Sequence, residues 1–581
     1  DQLHRVDMPG GARRQLTFER EPVTAYDRRP GSEELVLALD QGGNEAYQLY
    51  LYDPADGTRR LLTDGTSRND DARWSRDGRQ LAFRSTRRDG AANDVWTLDP
   101  GRPAEARLLV EAGDGAAWVP GDWSADGRRL LVGQYVSSTD SRLHLLELAS
   151  GELTPLAGSA ERPATYLGID PFFDAAGSGV FVATDQAGEF IELAHLDLAS
   201  GALRRITAEI PWDVEDFALS LDRRRGAFVV NEDGASRLYL FDPASFGYQP
   251  LAGLPAGVAS DLAFSPDGAR LALALSGSRA PSDVYTVELG PEPLAATGVT
   301  RWTFSEVGGL DTARFAEPQL VRFPSFDRRS IPAFVYRPEG PGPHPVIVSI
   351  HGGPESQFRP RFSSQIQMWV GTLGVAVVAP NVRGSSGFGR SYLKLDDGML
   401  REDSVRDIGA LLDWIATQPD LDARRVAVYG GSYGGYMVLA SLVRFGDRLR
   451  AGVELVGISN FVTFLENTED YRRDLRRVEY GDERDPEMRA FLEEISPSRH
   501  VARLDTPLFV AQGQNDPRVP VSEAEQIVAA VRAAGHEVWY LNARDEGHGF
   551  DKKENRDLFQ AASVLFFERQ LLGHAPDVPG S

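Results

Sequence analysis

A repeat of 45–50 residues in the first 310 residues is the feature that most constrains the fold of this chain. Each copy begins with an apolar residue just before a turn that contains Asp-Gly or a degenerate form of it. The copies are Trp74-Ser75-Arg76-Asp77-Gly78, Trp123-Ser124-Ala125-Asp126-Gly127, degenerate ones at Phe173 and Phe264, and weaker ones near Tyr26 and Leu219. Their successive starts lie 48, 49, 50, 46 and 45 residues apart.

The pattern inside each copy predicts four short strands. A strand, an Asp-Gly turn and a second strand are followed by another hairpin, such as LYLYDPADGTRRLLT. Asp-Gly between apolar runs favours a hairpin because the turn needs residues that tolerate positive φ. Four strands per fixed period indicate a β-propeller blade more than unrelated hairpins in a sandwich. Six repeats are visible, and ARRQLTF at residues 12–18 resembles a blade's last strand, so we expect seven blades.

The pattern changes near residue 320, where strands begin to alternate with helices. Strands with continuous apolar cores, such as HPVIVSI, GVAVVAP and PLFVAQG, predict a parallel sheet buried on both faces. Segments such as SVRDIGALLDWIATQ and SEAEQIVAAVRAAG predict crossover helices on an open α/β sheet. We expect a propeller domain at residues 1–315 and an α/β domain of the α/β-hydrolase class at residues 316–581.

The amino-acid composition excludes some classes of binding partner and some kinds of catalytic chemistry. The chain has 62 Lys and Arg residues against 85 Asp and Glu residues, a net charge of −23. Such a surface repels phosphate, so we expect neither nucleic acid nor an anionic membrane as a partner. The absence of cysteine excludes disulfides and thiolate nucleophiles. We expect a cytoplasmic protein, with the periplasm as the alternative for a processed chain, and a homo-oligomer is possible.

The segment Gly430-Gly431-Ser432-Tyr433-Gly434 has the G-x-S-x-G pattern. The motif is weak alone, but here a predicted strand, RVAVY, precedes it and a predicted helix, YMVLASLVRF, follows it. A strand, a tight turn and a helix expose the serine hydroxyl above the edge of the sheet. Ser432 is therefore the candidate nucleophile, and a glycine-rich connection with a solvated serine is the alternative.

A serine hydroxyl needs a base, and the base needs an orienting acid. His548 follows the strand EVWYLNA, and Asp516 follows the strand PLFVAQG, so both are expected at the carboxyl edge of the sheet. The order serine, acid, histidine is that of α/β-hydrolases and favours His548 over His351. Asp505 precedes its strand, and Asp545 is too near His548 to reach behind the ring. The predicted triad is Ser432, Asp516 and His548.

Two backbone amides are needed to stabilise the oxyanion of an acyl-transfer intermediate. The residue after the nucleophile, Tyr433, is expected to supply one of them. The glycine-rich segment His351-Gly352-Gly353-Pro354 is expected to supply the other, from Gly353 with Gly352 as the alternative. No HExxH motif or compact ligand cluster appears, and we expect neither a metal nor an organic cofactor.

These segments together resemble the prolyl oligopeptidase family of serine peptidases, and within it most the acylaminoacyl-peptidase branch. The resemblance rests on HGGP at 351–354, NVRGSSGFG at 381–389, GGSYGGYM at 430–437, SP at 496–497, NDPRVP at 515–520 and EGHGF at 546–550. It covers nearly all of residues 320–570, and the propeller repeats match the family's second domain. Ser432, Asp516 and His548 align with the family triad, and the resemblance implies that Arg518 binds the substrate carbonyl upstream of the cleaved bond. The alternative is that Arg518 is solvated or braces a neighbouring carboxylate.

The chain departs from the family pattern at two places. No propeller segment has the paired glutamates by which the dipeptidyl peptidase IV branch binds a free amino terminus. Glu33-Glu34 is expected to lie at the edge of a first-blade strand in solvent. Many relatives also have histidine where this chain has Gln512, a position outside the triad.

The sequence therefore predicts a serine peptidase that hydrolyses short peptides, of acylaminoacyl-peptidase or oligopeptidase type. The propeller is expected to cover the active site and to limit substrate size. A carboxylesterase on the same fold, a dipeptidyl-peptidase-like exopeptidase and a non-enzymatic scaffold are the alternatives.

Overall fold

A computed structural model describes residues 2–574. The first part consists of six antiparallel sheets, each a meander of four consecutive strands. Blade 1 contains β3–β6 (Ala25–Arg28, Leu35–Leu39, Gln48–Asp53, Thr58–Leu61), blade 2 β7–β10 (Asn69–Trp74, Leu81–Ser85, Asp94–Leu98, Arg107–Val110) and blade 3 β11–β14 (Ala117–Trp123, Arg129–Ser137, Asp140–Glu147, Glu152–Ala157). Blade 4 contains β15–β18 (Phe172–Phe173, Gly179–Thr184, Glu192–Asp197, Leu203–Arg205), blade 5 β19–β22 (Val214–Leu219, Gly226–Glu232, Ala235–Asp242, Gly247–Pro250) and blade 6 β23–β26 (Val258–Phe264, Arg270–Ser276, Asp283–Leu289, Ala296–Arg301).

The repeated Asp-Gly segment forms the turn between the first two strands of a blade. In blade 2 the Asp77 carboxylate accepts hydrogen bonds from Ser75 Oγ at 2.7 Å and from Arg79 N at 3.1 Å. Gly78 has a φ of +68°, which a side chain would disfavour. The local turn chemistry thus explains why the repeat is visible in the sequence.

The prediction of seven blades is wrong, because residues 2–574 form six blades. The segment expected to begin a seventh forms the short strand β2 (Arg14–Gln15), which pairs with β1 (His4–Arg5). Leu3 and Leu16 from this segment pack on the face of blade 1 that points away from blade 2. Gly10 N also donates to the Trp302 carbonyl next to blade 6. The amino-terminal segment therefore covers blade 1 and reaches blade 6 without forming a blade.

The second part is an eight-stranded sheet with helices on both faces. Its strands are β27 (Gln319–Pro324), β28 (Ser330–Tyr336), β29 (His344–Ile350), β30 (Ala376–Pro380), β31 (Leu421–Gly431), β32 (Ala451–Leu455), β33 (Leu508–Gly513) and β34 (Val538–Ala543). They lie in the order β27-β28-β30-β29-β31-β32-β33-β34, with the first two antiparallel to their neighbours and the rest parallel. This is the α/β-hydrolase order, and the antiparallel pair is an addition to the strands identified in the sequence.

Nine α-helices surround this sheet within the described residues. They are α1 (Ser364–Gly371), α2 (Arg390–Leu393), α3 (Glu402–Thr417), α4 (Tyr433–Phe445), α5 (Phe461–Asn467), α6 (Asp470–Tyr480), α7 (Pro486–Ile495), α8 (Val521–Ala533) and α9 (Lys553–Gln570). One core joins the sheet to α3, α4 and α8, and another joins its opposite face to α1 and α9. None of the helices between residues 2 and 574 has the length and apolar character that crossing a bilayer requires.

The predicted boundary between residues 315 and 316 lies between the end of blade 6 at Arg301 and the start of β27 at Gln319. The outer ends of the two predicted domains, residue 1 and residues 575–581, lie outside the described residues.

Candidate active site

Ser432 occupies a sharp turn between the central strand β31 and helix α4. Its backbone has a φ of +57° and a ψ of −122°, a conformation that few non-glycine residues adopt. The turn can close because a Cβ atom at Gly434 would lie 2.3 Å from the Ile350 carbonyl oxygen. The neighbouring glycines are therefore required by close backbone approach, and the Ser432 side chain lies at the carboxyl edge of the sheet.

Asp516 and His548 meet at the same edge, on the loops that follow β33 and β34. His548 Nδ1 lies 2.7 Å from Asp516 Oδ2. The other carboxylate oxygen of Asp516 accepts hydrogen bonds from the backbone amides of Arg518 at 2.8 Å and Val519 at 3.0 Å. Gln512 Nε2 donates to the Val519 carbonyl at 2.9 Å and lies 3.3 Å from Asp516 Oδ2. The acid is thus held by its own loop with one oxygen directed at the histidine.

The structure brings together the predicted acid and base but does not join the base to the nucleophile. Among residues 2–574, no hydrogen bond links Ser432 Oγ to His548. Catalytic hydrogen bonds are often long in the absence of substrate and tighten when it binds. The alternative base, His351, is engaged elsewhere: its Nε2 lies 2.8 Å from Ser385 Oγ, and burial lowers its pKa.

The two predicted oxyanion segments lie beside Ser432. Tyr433 begins helix α4, directly after the serine. A Cβ atom at Gly352 would lie 3.3 Å from Ser432 Cβ, so this glycine allows the loop after β29 to approach the nucleophile. Gly353 has a φ of +127°, and its carbonyl accepts a hydrogen bond from Tyr480 Oη at 3.1 Å. Tyr480, at the end of α6, is a support for this loop that sequence reasoning missed.

Arg518 forms an ion pair with a propeller residue. Its Nε lies 2.5 Å from Oε1 of Glu45, a buried residue in the loop between β4 and β5 of blade 1. The other oxygen of Glu45 accepts hydrogen bonds from Arg68 Nη1 and Tyr471 Oη, each at 3.0 Å. Burial acts to raise the pKa of Glu45, but the Arg518 and Arg68 guanidiniums outweigh it and hold that pKa below its usual value. Glu45 had no signal in the sequence.

Glu33 and Glu34 do not face the active site as a pair. Glu33 forms an ion pair with Arg28, and Glu34 forms one with Arg29 at 2.6 Å. Both partners belong to the same hairpin of blade 1, as expected for residues at the edge of a strand.

A buried guanidinium lies behind the oxyanion residues. The side chain of Arg401 is 1% exposed and contacts Asp396 at 2.5 Å and Glu479 at 2.7 Å. Its Cζ lies 5.2 Å from the ring centre of Tyr433 and 5.0 Å from that of Tyr480. Within the described chain, Asp396, Asp397 and Glu479 form one group with the spacing of metal ligands. Arg401 takes the position of a cation there, so this group is a packed ionic cluster.

Comparisons with known proteins agree with this geometry. Residues 360–574 match the model of the prolyl oligopeptidase family. The matched residues make up most of the C-terminal domain, which is therefore similar to that family. Members of this family are serine peptidases, and the candidate nucleophile, acid and base of this chain all lie within the matched residues.

Relatives from two branches of the prolyl oligopeptidase family match the catalytic domain. Dipeptidyl aminopeptidase BIII of Pseudoxanthomonas mexicana is 34% identical over 241 residues, which cover 41% of this chain and 34% of that protein. The rat acylamino-acid-releasing enzyme is 27% identical over 232 residues, 39% of this chain and 31% of that enzyme. The aligned segment thus spans about a third of the length of these relatives. The assignment to the acylaminoacyl-peptidase branch stays a prediction.

The two-domain fold is also found in solved structures. A puromycin-hydrolysing peptidase of Mycobacterium tuberculosis superposes with a TM-score of 0.83 over 97% of this chain and 90% of that one, at 21% sequence identity. This likeness extends to both domains and concerns the fold.

Proposed function

We propose that this protein is a serine peptidase that hydrolyses short peptides through Ser432, His548 and Asp516. The observation that carries the proposal is the 2.7 Å contact between His548 Nδ1 and Asp516 Oδ2. It leaves the opposite ring nitrogen of His548 free to act on the hydroxyl of Ser432 at the same edge of the sheet. The match of residues 360–574 to the prolyl oligopeptidase family supports the same reaction.

The proposed reaction proceeds by acyl transfer. Ser432 Oγ attacks the peptide carbonyl carbon while His548 Nε2 accepts the hydroxyl proton, and Asp516 stabilises the imidazolium. The Tyr433 and Gly353 amides donate to the oxyanion, with Gly352 as the alternative donor. His548 then protonates the leaving amine, and a water molecule activated by the same histidine hydrolyses the acyl-enzyme. The protein groups supply every proton transfer in this scheme, so we propose no metal or cofactor.

We propose that the propeller limits the size of the substrate. Contacts from several blades to loops around the catalytic residues support this role. Glu45 of blade 1 pairs with Arg518, and Asn93 of blade 2 donates to the Tyr471 carbonyl at 2.7 Å. Asn231 of blade 5 donates to Gln357 Oε1 at 2.6 Å, on the loop that follows the oxyanion segment. A folded protein would have to displace these contacts to bring its backbone to Ser432.

Three substrates test the proposed activity and its size limit together. The wild-type enzyme is expected to hydrolyse a short peptide anilide, and to spare a folded protein that carries the same sequence in its interior. A nitrophenyl ester serves as the third substrate. Turnover of the ester alone would support the carboxylesterase alternative, and equal rates on the short peptide and the folded protein would exclude gating by the propeller. Mass spectrometry of the products would distinguish exopeptidase from endopeptidase cleavage.

Arg518 is proposed to bind a carbonyl of the peptide upstream of the cleaved bond. Arg518→Ala should lower kcat/KM for peptides. The loss should correspond to about 1.5–3 kcal/mol of transition-state binding free energy, the contribution of one charge-assisted hydrogen bond. Small esters without an upstream carbonyl should be spared. Glu45→Gln should give a smaller loss on peptides, because it keeps the guanidinium and weakens only the ion pair that orients it. Equal losses on peptide and ester, or none on either, would show that Arg518 does not anchor the substrate.

The proposed partners are short peptides. Neither nucleic acid nor a membrane is proposed as a partner, given the net charge of −23. The cytoplasm, with the periplasm as the alternative, and assembly into a homo-oligomer stay predictions.

A further inference from the structure

Helix α6 connects the two loops that flank the nucleophile. At its beginning, Thr468 Oγ1 donates to the Arg518 carbonyl at 2.8 Å, and Glu469 N donates to the Pro517 carbonyl at 3.2 Å. At its end, Tyr480 Oη donates to the Gly353 carbonyl at 3.1 Å. The helix therefore runs from the loop of Asp516 to the oxyanion loop, and side chains on its inner face lie along the site.

Arg472 and Arg476 lie one turn apart on α6, and four-residue spacing places both on one face of a helix. Among residues 2–574, no carboxylate lies within ion-pair distance of the Arg472 guanidinium, which also makes no side-chain hydrogen bond. Burial, together with the nearby Arg476 and Arg518 guanidiniums, lowers the pKa of Arg472 to about 10. Glu45 acts in the opposite direction, but from beyond ion-pair distance and with less effect. The group is thus a partly buried cation that has no ion-pair partner among the described residues.

Arg476 differs from Arg472 because it has a carboxyl close by. The nearest oxygen of Glu355 lies 3.8 Å from its guanidinium. Burial acts to lower the pKa of Arg476, but Glu355 and the other acidic groups around it outweigh burial and raise that pKa. Burial, with a further contribution from Glu479, raises the pKa of Glu355 to about 8. The two neighbouring arginines of the same helix do form ion pairs: Arg473 pairs with Asp470 at 2.7 Å, and Arg477 pairs with Asp474 at 2.8 Å.

An uncompensated cation at this place requires an explanation, because the protein has 85 acidic residues and a net charge of −23. Burying a guanidinium without a counter-ion costs free energy, and the cost is recovered when an anion binds. The forked donors of arginine fit a carboxylate, the anion that a peptide carries.

We propose that Arg472, with Arg476 beside it, forms a subsite for a carboxylate of the substrate. This inference rests on the proposed peptidase activity and adds a preference for anionic peptides to it. The carboxylate belongs either to an acidic side chain near the cleaved bond or to the carboxyl terminus of the peptide. Both sources present the same group to the guanidinium, and the test below separates them.

The test uses a series of internally quenched peptides that share one core sequence. Glu is exchanged for Gln at each position on either side of the cleaved bond, and each peptide is made with a free and an amidated carboxyl terminus. Wild type is expected to favour the anionic member of one pair by about ten- to a hundredfold in kcat/KM. The pair that shows this preference identifies the source of the carboxylate. Arg472→Gln should abolish the preference, and Arg472→Lys should restore part of it.

Arg473→Gln is the matched control, since it removes a neighbouring arginine of the same helix whose partners are Asp470 and the Thr468 carbonyl. It should keep the wild-type preference, and turnover of a nitrophenyl ester should show that all variants are folded. The proposal is overturned if wild type discriminates less than about twofold within every pair, or if the Arg472 and Arg473 variants change the preference equally.

A binding measurement separates failure of this inference from failure of the proposed function. If wild type hydrolyses none of the peptides, the peptidase assignment fails. The subsite can still be tested by measuring the binding of fluorescently labelled versions of the same peptides to Ser432→Ala by fluorescence anisotropy. Tighter binding of the anionic member, lost with Arg472→Gln, supports it. Equal binding of both members contradicts it.

Discussion

Replacing Ser432 by alanine is expected to lower kcat for a peptide anilide by about ten-thousandfold or more, with little change in KM. The hydroxyl is the atom proposed to form the acyl-enzyme, and no other group at the turn can take its place. The positive φ of Ser432 and the tight approach of Gly434 to Ile350 serve to expose this one side chain. Steady-state kinetics of the purified variant would measure the loss.

Ser441→Ala is the matched control for this experiment. Ser441 lies on helix α4, which begins directly after Ser432; it is fully buried, and its hydroxyl has no hydrogen-bond partner among residues 2–574. Its removal should leave kcat within about twofold of wild type, because an unpartnered hydroxyl holds no other group in place. In wild type, a fluorophosphonate should also transfer its phosphonyl group to the Ser432 hydroxyl with loss of fluoride, and mass spectrometry should find that group on the peptide that contains Ser432. Unchanged activity of Ser432→Ala would exclude the mechanism proposed above.

Replacing Arg401 by methionine is expected to destabilise the catalytic domain by about 3–5 kcal/mol, the usual cost of removing one partner from a buried ionic group. The substitution would leave the Asp396 and Glu479 carboxylates in the interior without their cation. Burial already raises the pKa of Asp396 to about 7 in the presence of Arg401. Urea unfolding followed by helical circular dichroism would measure the change, because within residues 2–574 the α-helices belong to the catalytic domain.

The exposed pair of Arg489 and Glu466 offers a control of similar geometry. Its atoms lie 2.8 Å apart, but each side chain is 45% exposed. Arg489→Met should therefore change stability by no more than about 1 kcal/mol. Similar losses for the two variants would mean that the Arg401 cluster contributes no more than a surface ion pair. Because Arg401 contacts the rings of Tyr433 and Tyr480, kcat should also fall in molecules that remain folded.

The strongest predictions from sequence concerned features with a local physical cause. The turn at Asp77-Gly78 forms only with particular residue types, so the repeat of this turn from blade to blade is visible in the sequence. The nucleophile turn needs glycines on both sides of Ser432, and buried strands need continuous apolar runs. Helix α6, by contrast, was not identified, because its sequence DYRRDLRRVEY contains few apolar residues. Polar contacts with the propeller and the catalytic loops hold it in place.

The number of blades was decided by tertiary structure. A repeat length sets the size of a blade, but the closure of the ring depends on what covers the free faces of the first and last blades. Here Leu3 and Leu16 pack on blade 1 in place of a further sheet. The strand-like pattern of residues 12–18 is real, but it pairs with His4–Arg5 across a short distance in sequence.

The sequence by itself determined the two fold classes, and it predicted the order of the candidate triad and the turn that holds the candidate nucleophile, because these depend on local pattern and chain order. Only the tertiary structure showed that Glu45 meets Arg518 across 473 residues and that Tyr480 supports Gly353 across 127. It also showed that Arg472 has no ion-pair partner among residues 2–574. Contacts between distant residues cannot be recognised in either local sequence, because each side chain is an ordinary charged or aromatic group there. Only the folded chain decides which side chains gain a partner and which do not.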